Sequence, residues 1–185
     1  MPITVIGTDP GFANVGVAQI SCDRGGLQVD GLRYIGTKPD RSKTRKSYSD
    51  LARYWEILRE LNSFRMEAGD LNAFAFEVFQ PYQGEEQEKR LKAAHKTAMA
   101  TGVILAVGLS FGVPVIPILP VDIKSRLGSS HDRSKDAVAN ELCRLIPGLR
   151  EQLDKLPKGQ RNHVSDAVAV AYCGLMEIAK NGSKR

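Results

Sequence analysis

TVIGTDPGFANVGVA, residues 4–18, is the stretch that decides the fold. A β-branched apolar run climbs to a single carboxylate at Asp9, turns through Pro10 and Gly11, and becomes apolar again at Val15. Such runs suit a pleated, buried surface, and so short a connection predicts two antiparallel strands. Asp, Pro and Gly are ordinary turn residues. On this segment alone Asp9 reads equally well as shaping the bend or as a carboxylate delivered rigidly to the rim of a sheet, to hold a metal ion. The rest of the chain separates the two readings.

Working outward, strands are predicted at Ile3 to Thr8, Val15 to Ile20 and Leu27 to Ile35. Ser49 then precedes Leu51, Tyr54, Trp55, Leu58 and Leu61, a 3.6-residue period that predicts a helix from Ser49 to about Met66. Leu71 to Phe79 (LNAFAFEVF) reads as another apolar strand carrying one acid, Glu77. A helix at Leu91 to Ser110, a strand at Val113 to Leu119, and helices at Ser134 to Ile146 and Asn162 to Lys180 complete the pattern. Strands first, then alternating helices and strands, describe a mixed α/β sheet with helices on its faces.

At 185 residues with 42% hydrophobic side chains the chain suits one domain, predicted over residues 1–180 with 181–185 as a short basic tail. The net charge of +5 suits a polyanionic partner. Cys22, Cys143 and Cys173 are far apart and in no zinc-like spacing, so reduced, mostly buried thiols are expected. The N-terminus enters a strand without a leader-like pattern, and the longest apolar run, Gly102 to Val121, is broken by Gly and Pro. The expectation is a cytoplasmic protein with no membrane span.

Asp9 and Glu77 each lie at or near the end of an otherwise apolar run, where an uncompensated carboxylate is costly to bury. If their strands run the same way, the two acids emerge together at the carboxyl ends. On the last helix His163 and Asp166 are three residues apart and share a flank. Asn162 reads as an N-cap, which leaves a purely structural, dipole-favoured role open for Asp166. Three carboxylates and one imidazole suit Mg²⁺ or Mn²⁺ better than a structural zinc. Two such ions, about 3.5–4 Å apart, suit phosphodiester hydrolysis.

These residues carry a resemblance. IGTDPGFANVGVA, FAFEVF, HKTAMATGVILAVG, VDIKSRLGSSHDRSKDAV and HVSDAVAVAY, in that order, resemble the RuvC-type Holliday junction resolvases of the RNase H-like superfamily over about Ile3 to Ile178. The resemblance implies an RNase H-like mixed five-stranded sheet, with the first three strands antiparallel and helices on both faces. It also implies a magnesium-dependent endonuclease of DNA recombination and repair that resolves four-way junctions by paired nicks, leaving 5′-phosphate and 3′-hydroxyl ends. By the same resemblance Asp9, Glu77, His163 and Asp166 are the metal ligands, Lys124 and Lys135 face the scissile phosphate, and Phe79 or Tyr82 contacts the junction centre. Many relatives carry an acid at the position of His163.

Gly102 falls on the helix that such proteins pack across a two-fold axis, so a homodimer on branched DNA is expected. Two basic stretches, Lys38 to Lys46 and Ser125 to Lys135, offer Lys43, Arg45, Lys46, Arg126 and Arg133 as candidate DNA contacts. Together with GEEQEKR at 84–90 they are longer or more charged than is usual for the family, as in a phage or prophage variant. Two other readings stay open here. The Asp9-Pro10-Gly11 to Gly16 segment also occurs as a phosphate loop in actin-like and sugar-kinase ATPases, and a non-catalytic branched-DNA-binding protein could share the fold.

Overall fold

The computed structural model describes residues 2–39, 46–67, 69–79, 87–128 and 134–182. They form β1 (Ile3–Asp9), β2 (Asn14–Asp23), β3 (Gly26–Gly36), α1 (Lys46–Glu67), β4 (Ala73–Glu77), α2 (Gln87–Ser110), β5 (Val115–Ile118), α3 (Pro120–Leu127), α4 (Lys135–Leu145), α5 (Leu149–Asp154) and α6 (Lys158–Gly182). The five strands make one sheet in the order β3-β2-β1-β4-β5. β1, β2 and β3 pair antiparallel, while β4 runs parallel to β1 and to β5. The antiparallel hairpins follow from their short connections, and the parallel β1–β4 pair needs the long crossover that α1 supplies.

Alternation along the strands sorts the side chains into two cores. Ile6, Val15, Val17 and Phe74 face α1 and α2, packing with Ile57, Leu61 and Ile104. Val5, Ala18, Ile20, Ala73 and Ala75 face α6. On that second face small residues form the floor. A Cβ on Gly7 would stand 2.3 Å from the Ala171 nitrogen, one on Gly16 would stand 1.9 Å from the His163 carbonyl oxygen, and one on Gly174 would stand 2.7 Å from the Ala75 Cβ. The backbone of α6 therefore lies directly on β1, β2 and β4.

Three predicted elements differ. α6 starts at Lys158 rather than Asn162, because Pro157 sets the first turn and its carbonyl accepts from Gln160 N at 2.8 Å. Asp166 consequently lies beyond the first turn, and the capping and dipole explanation for it falls away. Val164 to Cys173 is buried around most of the helix, since α3, α4 and α5 cover the side away from the sheet. α3 occupies sequence for which no element was predicted: Pro120 fits the first helical position, Leu119 N donates to Asp122 Oδ2 at 3.4 Å, and Ile123 and Leu127 are buried one turn apart. α5 was likewise not predicted.

All three cysteines are free, and burial pushes the Cys173 thiol up to about 12. Among the described residues no helix is long and apolar enough to cross a membrane.

Candidate active site

The parallel register places Thr8 beside Phe76, so Asp9 and Glu77 are the next residues out on adjacent central strands. Asp9 follows Val5 and Gly7 on the α6 face, and Glu77 follows Ala73 and Ala75 on the same face. α6 brings the remaining two candidates. Its close approach over Gly16, which pairs with Asp9 on one side and Tyr34 on the other, sets the His163 imidazole between those two side chains. His163 Nδ1 lies 3.0 Å from Asp9 Oδ2, and its ring centroid lies 6.1 Å from that of Tyr34. Tyr34 in turn donates its hydroxyl to Asn14 Oδ1.

Asp166 sits beside Lys135, the first residue of α4, and the two form an ion pair. A cleft lined by Glu77, Pro120, Ile123, Lys124, Ser134, Lys135, Val138 and Asp166 runs between β4, α3 and α4. It adjoins a depression lined by Asp9, Pro10, Glu77, Val78, Phe79 and Pro120. Six sequence-predicted residues, Asp9, Glu77, His163, Asp166, Lys124 and Lys135, are thus gathered at one end of the sheet, with Phe79 at its edge.

The electrostatics are those of crowded acids. Burial, then the charges of Asp9 and Asp166, push Glu77 up to about 7 against the pull of Lys135 and Lys124. Burial, with the charge of Asp9, also raises Asp166 against the pull of its Lys135 partner. The hydrogen bond to Asp9 raises His163. For Lys135 burial acts downward, but the hydrogen bond to Asp166 and the fields of Asp9 and Glu77 carry it above the ordinary lysine value.

Donor chemistry fits a hard divalent cation: three carboxylates and one imidazole, with mutual repulsion that a cation would relieve. As placed, no three acidic, histidine or cysteine side chains among the described residues converge on one ion-sized point. Asp9 is engaged by His163 and Asp166 by Lys135, so a divalent ion held here would have to displace these partners.

The remaining candidates are not all brought here. The Arg126 guanidinium pairs with Glu177 and reaches the Cys173 carbonyl at 3.5 Å, tying α3 to α6 away from the acids. Lys43, Arg45, Tyr82 and Arg133 lie outside the described residues, as does the end of the predicted basic tail, and Lys46 is described only as the first residue of α1. Tyr34 was missed, because an aromatic at one position of a strand edge carries no sequence mark of a site. Gly16 was singled out only as a possible phosphate-loop residue, although its buried place beneath α6 positions His163.

No family model matches the chain. The crossover junction endodeoxyribonuclease RuvC of Carboxydothermus hydrogenoformans is 27% identical over 174 residues, covering 94% of this chain and 96% of that protein. The RuvC of Chlorobium phaeovibrioides is 26% identical over 183 residues, covering 99% and 86%. The chain is thus similar to these RuvC proteins over nearly its whole length. Thermus thermophilus RuvC superposes on this chain with a TM-score of 0.67 at 23% identity, covering 97% of each. The structure of that protein in complex with Holliday junction substrate gives 0.64 at 23% identity over 92% of each. The yeast mitochondrial Holliday junction resolvase gives 0.63 at 13% identity, covering 91% of this chain and 76% of that one. These likenesses match the sheet described above, including its antiparallel first strands.

Proposed function

We propose that this RuvC-type chain is a structure-selective DNA endonuclease, one RNase H-like domain that resolves four-way junctions by paired nicks and leaves 5′-phosphate and 3′-hydroxyl ends. The observation that carries the reading is the delivery of Asp9, Glu77, His163 and Asp166 to one end of the sheet, beside Lys124 and Lys135. A phosphodiester is attacked in line at phosphorus. Its hydrolysis calls for a carboxylate-rich cation site on one side and fixed positive charge on the other.

The residues that would hold a divalent ion are Asp9, Glu77, Asp166 and His163, with Mg²⁺ the assigned ion, Mn²⁺ a substitute, and two ions per site. When bound, such ions supply an activated water and charge stabilisation for the leaving oxygen. With Nδ1–H directed at Asp9 Oδ2, His163 keeps Nε2 for a proton or a ligand. Lys135, once released from Asp166, and the exposed Lys124 offer point charges to the phosphate. Phe79, at the edge of the cleft, offers a face for an unstacked base.

Two sites on one junction imply two copies of the chain. α2 presents Leu91, His95, Met99, Gly102, Ala106 and Leu109 to solvent at helical spacing, and a Cβ on Gly102 would meet nothing within 4 Å. An exposed apolar stripe with a glycine at its middle suits close packing against the same helix of a second copy. The phosphate-loop alternative loses its second glycine, because Gly16 is buried under the His163 carbonyl. The test is cleavage of matched four-way, three-way, flap and linear DNAs with Mg²⁺. Paired nicks in the four-way junction that vanish in Asp9→Asn are expected. Failure to nick the junction, or undiminished nicking by Asp9→Asn, refutes the reading.

A further inference from the structure

Phe12 lies three residues beyond Asp9, at the tip of the β1–β2 turn, and is held in a cage from the opposite layer of the fold. The Arg53 guanidinium, on α1 and buried, lies 3.7 Å from the Phe12 ring centroid. Arg53 Nη2 also donates to the Phe12 carbonyl at 3.3 Å, and Arg53 Nε donates to Thr37 Oγ1 at 2.8 Å. Thr37 Oγ1 itself donates to the Phe12 carbonyl at 2.7 Å, and Thr37 N donates to the Ala13 carbonyl at 2.9 Å. Tyr54 tilts against the ring at 5.2 Å, and Lys96 Nζ on α2, paired with Asp50 at 2.6 Å, stands 4.7 Å from its centroid.

This is more machinery than a short turn needs. Among the described residues the hydrogen bonds of Arg53 go to oxygens of Phe12 and Thr37. A guanidinium so buried relies on those neutral acceptors and on the ring face, a combination only a planar, delocalised cation can use. The turn is therefore fixed at both ends, at Asp9 by pairing with Gly16 and at Phe12 by the cage. A carboxylate that must exchange a histidine for a cation gains from a backbone that does not move while it does so.

We propose that Phe12 and Arg53 are positioning residues, a latch that fixes the Asp9 turn to α1 in the posture from which Asp9 engages a divalent cation. The inference rests on Asp9 being a cation ligand, as argued under the proposed function. The variants are Phe12→Leu and Arg53→Lys, with Phe111→Leu as a control, since Phe111 packs edge-on against Phe74 in the same layer without touching the turn.

Mn²⁺ binding to the full chain is measured by the free-ion electron paramagnetic resonance signal, alongside Tm and junction cleavage. The latch predicts that both variants weaken Mn²⁺ binding about tenfold or more, at a loss of Tm no larger than in Phe111→Leu, which keeps wild-type affinity. Wild-type Mn²⁺ affinity in the latch variants, with Tm alone lowered, overturns the proposal. So does an equal loss of affinity in Phe111→Leu. Weakened Mn²⁺ binding in a protein whose wild type nicks no junction would leave the latch standing and remove the nuclease reading. No Asp9-dependent Mn²⁺ binding by the wild type would remove both.

Discussion

Replacing Glu77 by Gln should stabilise the cation-free protein at neutral and alkaline pH while abolishing cleavage. Glu77 is displaced from an ordinary 4.5 to about 7, chiefly by burial and then by Asp9 and Asp166. Below the unfolded-state value both states hold the proton and the site contributes nothing to the pH dependence. Between the two values the unfolded chain gives up its proton while the folded chain keeps it, so stability falls as pH rises and levels off above the folded-state value. Each unit is worth about 1.4 kcal/mol, so the full displacement amounts to roughly 3.5 kcal/mol. For a chain of this length that corresponds to roughly 7–14 °C in Tm.

The assay is denaturant or thermal unfolding of both proteins in chelator, from about pH 4 to about pH 8, where the neutral amide mimics the protonated acid. The two should agree at the acid end, and the variant should gain steadily toward the alkaline end. Mg²⁺ added at about pH 8 should narrow the gap by stabilising the wild type more, because a bound cation offsets the crowded charge. Parallel curves across the whole range would show that Glu77 is not strained by its neighbours and would refute the electrostatic account of the site.

Three further outcomes are expected. Gly16→Ala should lower stability by about 1–3 kcal/mol or more and weaken Mn²⁺ binding, because its Cβ meets the His163 carbonyl at 1.9 Å; denaturant unfolding and Mn²⁺ titration check both. Gly102→Arg on α2 should leave Tm equal or slightly raised, as glycine costs about 1 kcal/mol in a helix interior, while sedimentation analysis shows loss of the dimer. Arg126→Met should change stability by no more than about 1 kcal/mol, and an unchanged salt dependence of junction binding would mark Arg126 as a tie between α3 and α6 rather than a phosphate contact.

The sheet was legible because its strands are short apolar runs with clear turn residues between them, and the two acids stood out as single charges in those runs. The closeness of Asp9 to Glu77 followed from strand direction, which a crossover helix at residues 49–66 already implied. What was not legible depends on packing between distant elements. The all-round burial of α6 could not be read, because its sequence cannot show that α3, α4 and α5 cover its outer side. α3 was hidden by a polar composition, with Ile123 and Leu127 alone marking its buried edge. The pairing of Lys135 with Asp166 joins the start of α4 to the third turn of α6, and the Phe12 cage joins a turn to a helix on the opposite layer. Neither leaves a local pattern to read.

The glycine floor beneath α6 has a consequence for how the protein is made. Asp9 and Glu77 become neighbours only when β1 and β4 pair across their crossover, and His163 and Asp166 arrive only with the last helix of the chain. A ribosome must therefore deliver α6 before the four side chains can meet, and non-local contacts of this kind form late. Because α6 fits only in full backbone contact with Gly7 and Gly16, a loosely docked helix leaves the four side chains apart. On the proposed reading, a nascent or half-folded nuclease is a silent one, and hydrolytic competence appears together with the finished fold.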